Sequence, residues 1–111
     1  MRVLIKEPEN TAYEADIKND LTVLQRIVGG YIEVCSPFND NLVLICNEEG
    51  KNLELPINQI FLNENGTIID YIAGNYILCG TDGEDFTSLP DELISKYKSS
   101  KANQKIVTLE E

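Results

Sequence analysis

Residues 42–46 read "LVLIC", five apolar side chains with no polar interruption. A strand that shows one face to water alternates apolar and polar residues, so an unbroken run specifies a central strand covered on both faces. "YIEVC" (31–35) precedes it across "SPFNDN" (36–41), and the pair forms a hairpin over the Pro37–Asn41 loop.

Other β-prone runs supply the neighbours of that strand. "RVLIKE" (2–7) and "TAYEADI" (11–17) flank the turn residues "PEN" (8–10) and make a second hairpin. "NEEGK" (47–51) is a turn with Gly50 free to take positive φ, and "NLELP" (52–56) is a short strand halted by Pro56. "INQIFLN" (57–63) fits either a helical turn or an edge strand. After "ENG" (64–66), "TIIDYIAGNYILCG" (67–80) carries two β runs split by Gly74.

Two segments have helical periodicity. Asn19 or Asp20 can accept the free amides of a first turn, and Leu21, Leu24, Ile27 and Val28 then form one apolar stripe, which predicts a helix over about 20–28. Gly29 follows where a left-handed residue ends a helix, and capping alone explains it. The adjacent Gly30 needs another reason. Phosphate loops place their glycines before a helix, at its positive end, whereas "GG" here comes after one. Near the other terminus Ser88 precedes Leu89, Pro90 and Asp91, so its hydroxyl can accept from the Asp91 amide, with Pro90 in the first turn. Leu89, Leu93, Ile94 and Tyr97 share a face, and a helix over about 88–98 follows.

The fold class is therefore α+β, a mainly antiparallel curved sheet with two amphipathic helices. Leu4, Leu24, Ile27, Val28, Ile32, Val34, Val43, Ile45, Leu55, Ile72, Ile77, Leu93 and Ile94 are the expected core. At 111 residues the chain has room for one modest core, assigned to residues 1–98. Residues 99–111 form a polar tail or, through "IVTL" (106–109), a late edge strand.

Charge and residue types narrow the function. Nineteen acidic against nine basic residues give a net charge of −10, which repels a phosphate backbone and argues against direct nucleic-acid binding. Cys35, Cys46 and Cys79 are odd in number, lack C-x-x-C spacing and sit among apolar residues, as buried free thiols of a reducing cytoplasm do. No run approaches the roughly twenty apolar residues of a membrane span, and "MRVLIKEPEN" is not a signal peptide.

The chain has no histidine, which removes the commonest general base, the commonest zinc ligand and any Ser-His or Cys-His nucleophile pair. "DGED" (82–85) is the densest carboxylate group, but an acidic turn before a helix explains it as well as a cation site does. Tyr13, Tyr31, Tyr71 and Tyr76 can stack on a ring or simply fill half-buried strands, with filling the commoner role. The residues point to a protein that is not an enzyme and needs no cofactor or metal.

Five stretches in order, "GGYIEV" (29–34), "NEEGK" (47–51), "LPINQ" (55–59), "IAGNYILCG" (72–80) and "EDFTSL" (84–89), resemble the family described as domain of unknown function 3846, over about residues 1–98. The resemblance implies a setting in phages and mobile elements and no particular activity. In that setting two binding functions are expected. One is an anti-defence protein of the host-cell cytoplasm that sequesters a nucleotide-derived immune signal without cleaving it, its pocket open to completion at a homo-oligomer interface. Its ligand-binding residues would be the polar and glycine positions beside apolar strands, Gly30, Tyr31, Glu33, Asn47, Asn58, Gly74 and Asn75, with Arg26, Lys51 or Arg2 offsetting the phosphate charge. The other is an acidic inhibitor that docks on a basic patch of a host defence protein or a nucleic-acid-processing protein. An accessory phage domain with no anti-defence role is the third expectation.

Overall fold

A computed structural model describes residues 1–98 and a two-residue strand at Ile106–Val107. The amino-terminal hairpin is β1 (Arg2–Lys6) against β2 (Tyr13–Asp16), antiparallel with Leu4 opposite Glu14. Helix α1 (Leu21–Val28) follows, then β3 (Ile32–Cys35) and β4 (Val43–Asn47), paired with Val34 opposite Ile45. Next come β5 (Ile57–Leu62), β6 (Ile68–Ala73) and β7 (Tyr76–Thr81). The short β8 (Phe86–Thr87), helix α2 (Asp91–Lys98) and β9 (Ile106–Val107) complete the order.

The strands form two sheets where one curved sheet was expected. The larger is antiparallel, in the order β2-β1-β7-β4-β3 with β8 on β7, and is not closed. The smaller is β6-β5-β9, whose β5–β9 pairing is parallel. The "LVLIC" run explains the layering. Every residue of β4 is buried, and because side chains alternate, Leu44 and Cys46 face one hydrophobic cluster while Val43 and Ile45 face another. α1 covers the second face through Leu24 and Val28. The first face is covered by α2, through Leu93 and Ile94, and by the smaller sheet, through Phe61 and Ile72.

Several local expectations are corrected. Residues 52–54 form a turn, with Glu54 at φ 57° and the Leu55 amide bonded to the Gly50 carbonyl, so "NLELP" is no strand. The ambiguous 57–63 run is strand β5. Gly50 does not take positive φ; it is required because a Cβ there would lie 2.5 Å from the Ala73 carbonyl oxygen. The second helix starts at Asp91, and the Ser88 hydroxyl accepts from the Arg2 amide at 2.9 Å. Val34 is exposed, and Ile27, Ile32 and Leu55 are half-buried, because the edge of the sheet and the end of α1 are incompletely covered. Leu21, at the start of the helical stripe, is also exposed. The expected tail falls outside the described residues apart from β9.

Candidate functional site

Helix α1 is set by its ends. Asp20 Oδ1 accepts from the Thr22 amide at 2.8 Å, and Gly29 takes φ 87°, ψ 18°. The amides of Gly29 and Gly30 both donate to the Gln25 carbonyl, at 2.8 and 3.1 Å, which leaves the last carbonyls to be met by side chains. Asn75 Nδ2 donates to the Ile27 carbonyl at 3.1 Å and Asn47 Nδ2 to that of Val28 at 3.2 Å. Asn47 Oδ1 also accepts from the Glu49 amide at 2.7 Å.

These contacts bring together the end of α1, the end of β4 and the Gly74–Asn75 link between β6 and β7. With the 53–56 turn and Pro8 they enclose a cleft of about 370 Å³, at the small end of the range for small-molecule sites. Ile27, Leu53, Leu55 and Pro56 give it apolar walls. Gly74 sits at φ 90°, and a Cβ on it would come within 2.8 Å of Leu55 Cδ1, so only glycine leaves that wall in place.

The carbonyl end of a helix carries partial negative charge and by itself repels an anion. Here Asn47 and Asn75 take up two of those carbonyls, and Arg26 in the last turn adds a full positive charge at the cleft. Among the described residues no carboxylate forms a salt bridge with Arg26. The cleft is thus amide-lined and apolar-walled, with a single cation and no nucleophile or general base among the residues that line it.

Beneath the cleft lies a buried polar layer between the two sheets. Asn58 Nδ2 donates to the carbonyls of Lys6 and Gly74, at 2.9 and 2.8 Å, and its own oxygens accept from Lys6 Nζ. Lys6 is only 3% exposed and burial lowers its pKa. Beside it the Tyr76 hydroxyl donates to Gln59 Oε1 at 3.1 Å, and burial raises the pKa of that phenol.

Of the residues nominated from sequence, Asn47, Gly74 and Asn75 line the cleft together. Gly30 backs it, since a Cβ there would sit 3.0 Å from Asn47 Nδ2. The other three lie elsewhere. Asn58 is buried in the layer below. Strand alternation turns Ile32 toward α1 and Glu33 to the opposite face, and Tyr31 precedes the strand. Tyr31 is 68% exposed and Glu33 borders a separate groove. Tyr31 is accordingly neither strand filler nor part of the cleft.

Of the three cations considered, only Arg26 reaches it. Lys51 pairs with Asp70 at 2.7 Å and lies over the Tyr71 ring, and Arg2 pairs with Glu14 at 3.1 Å. Sequence reasoning missed the apolar walls, and the adjacency of Leu53, Leu55 and Pro56 was their one signal. The "DGED" segment is a hairpin turn in which Asp82 Oδ1 accepts from the amides of Glu84 and Asp85, both at 2.9 Å.

The family model described as domain of unknown function (DUF3846) matches residues 1–101. No curated protein and no solved structure matches the chain. No helix among the described residues is long and apolar enough to cross a membrane.

Proposed function

Since the chain belongs to the domain of unknown function (DUF3846) family, whose description states no activity, we propose from the cleft itself that the protein is a non-catalytic binding module for a small nucleotide-type ligand. The carrying observation is Arg26, a cation without a salt bridge among the described residues, at an otherwise apolar and amide-lined cleft. In a chain of net charge −10, a lone cation placed there gives an anionic group one favourable anchor. The apolar walls suit the faces of a base, and the volume suits one base with one sugar better than a cyclic dinucleotide. One cation supports about one phosphate. Capture without cleavage follows from the lining, which offers no group to attack or to move a proton. In a phage setting this would remove a nucleotide-derived immune signal.

A second function draws on a different observation. Glu33 and Val34 are exposed on β3, the end strand of the larger sheet, and Tyr31 just before it is exposed as well; such an acidic edge fits an inhibitor that docks on a basic protein. Native mass spectrometry of the protein purified from cells that produce it separates the two. A retained nucleotide-sized mass, released intact on heating, supports the module. Apo protein alone, or ligand recovered as fragments, contradicts it.

A further inference from the structure

A second groove, of about 240 Å³, opens between β3 and β6, away from the cleft's apolar walls. Cys35 and Cys46 both line it, the first half-buried and the second buried. In the β3–β4 ladder Cys35 stands opposite Leu44 and Cys46 opposite Glu33, so the two cysteines are diagonal neighbours on one face of adjacent strands. Each thiol shifts the pKa of the other, that of Cys35 downward and that of Cys46 upward. Nothing in the proposed function uses them.

We propose that Cys35 and Cys46 form an oxidisable dithiol, a modification site that reacts with a hydroperoxide at this groove and closes to an intramolecular disulfide. Cys35 is the attacking group because it is the more exposed of the two. The neighbouring Cys46 thiol favours its thiolate and lowers its pKa, and Lys51 adds to this, while burial and the carboxylates of Glu33 and Asp70 oppose it. The thiolate attacks one peroxide oxygen. An S–O bond forms, the O–O bond breaks, and the departing oxygen leaves as alkoxide or hydroxide and takes a proton. Cys35 is now a sulfenic acid. Cys46 then attacks the Cys35 sulfur, forming S–S and breaking S–O, and the leaving hydroxide takes the Cys46 proton as water. In total two thiols and one hydroperoxide give one disulfide, one alcohol or water, and one water.

Geometry makes this disulfide reversible. Diagonal neighbours have Cα atoms about 7–8 Å apart, whereas a disulfide holds them at about 4.4–6.8 Å. Among the described residues β3 is bonded to the sheet on its β4 side alone, so it can move to close the gap. The strain left in the bond makes it easily reduced.

The test is hydrogen peroxide treatment of the purified protein, followed by intact mass measurement and peptide mapping. The expected product has lost two hydrogens, carries a Cys35–Cys46 crosslink and reverts with dithiothreitol. Cys79, fully buried in the cluster on the other face of the sheet, stays unmodified as an internal control. Cys46→Ser should stop at a Cys35 sulfenic acid that dimedone traps, and Cys35→Ser should consume peroxide at least about tenfold more slowly. The wild-type product decides the matter even where a variant folds poorly. No mass change, accumulation of sulfinic or sulfonic acid at Cys35, or a crosslink through Cys79 would overturn the proposal.

Discussion

The side-chain amide of Asn47 donates to the carbonyl of Val28 at 3.2 Å and so ties the end of β4 to the end of α1. Asn47→Ala leaves that carbonyl and the Glu49 amide without this partner, in a region where Asn47 is 5% exposed. The expected loss is about 1–3 kcal/mol, read from the urea midpoint with an unchanged slope. Wild-type stability in the variant would show that water replaces the amide.

The two glycines after α1 separate by mechanism. Gly29→Ala forces alanine to φ 87°, which costs about 1 kcal/mol; Gly29 borders the cleft, but its added Cβ would meet only Asn47 Nδ2 at an ordinary 3.8 Å, so ligand affinity per folded molecule is unchanged. Gly30→Ala puts a Cβ 3.0 Å from Asn47 Nδ2 and displaces the amide that backs the cleft, so its affinity falls beyond its effect on stability. Calorimetric titration of both variants beside urea melts distinguishes the cases. Equal and purely structural losses would contradict the role given to Gly30.

Buried Lys6 makes stability depend on pH in the alkaline range. Burial lowers its folded pKa below the ordinary value near 10.5, so between those two values the unfolded chain binds more protons than the folded one. Lys6 therefore opposes folding most at low pH, and that penalty fades as pH rises toward 10.5. The stability of wild type relative to Lys6→Met should climb over this window when urea melts are compared. A flat or falling difference would place Lys6 Nζ in contact with water or with a carboxylate.

Leu44 is fully buried at the centre of the larger sheet and belongs to the cluster that joins it to the smaller one. Leu44→Ala should cost about 2–5 kcal/mol, a large share of the roughly 5–15 kcal/mol that holds a domain together. Thermal unfolding followed by circular dichroism measures it. A loss below about 1 kcal/mol would mean that the two sheets repack around the cavity.

What could be read from sequence was mostly local. Asp20 and Gly29 announce α1 because both caps act through backbone within two residues of the helix, and "LVLIC" announces a strand covered twice because its side chains alternate between two cores. α2 starts at Asp91, and the Ser88 hydroxyl bonds to Arg2, far away in sequence, a contact that no local pattern carries. Residues 52–56 read as a short strand halted by Pro56, but Glu54 turns left-handed, and Leu53 and Leu55 line the cleft.

The same division holds for the site. Asn47, Gly74 and Asn75 were recognisable as polar and glycine positions beside apolar strands. That Asn58 answers Lys6 across the two sheets, and that Tyr31 stands exposed outside the cleft, depended on layering and strand register. The split into two sheets was likewise invisible, since β5 and β6 pair with each other as well as any hairpin in a single sheet would.

Calorimetric titration of wild type and Arg26→Ala with nucleosides, mononucleotides, ADP-ribose derivatives and cyclic dinucleotides tests the cleft most directly. Binding of at least one mononucleotide-sized ligand below roughly 10 μM, about −7 kcal/mol, is expected, with affinity at least about tenfold weaker in Arg26→Ala, the loss of one charge-assisted contact. If no compound binds below roughly 10 μM, or if Arg26→Ala binds as well as wild type, the cleft is not the ligand site, and the exposed acidic edge at Tyr31, Glu33 and Val34 becomes the surface through which the protein acts.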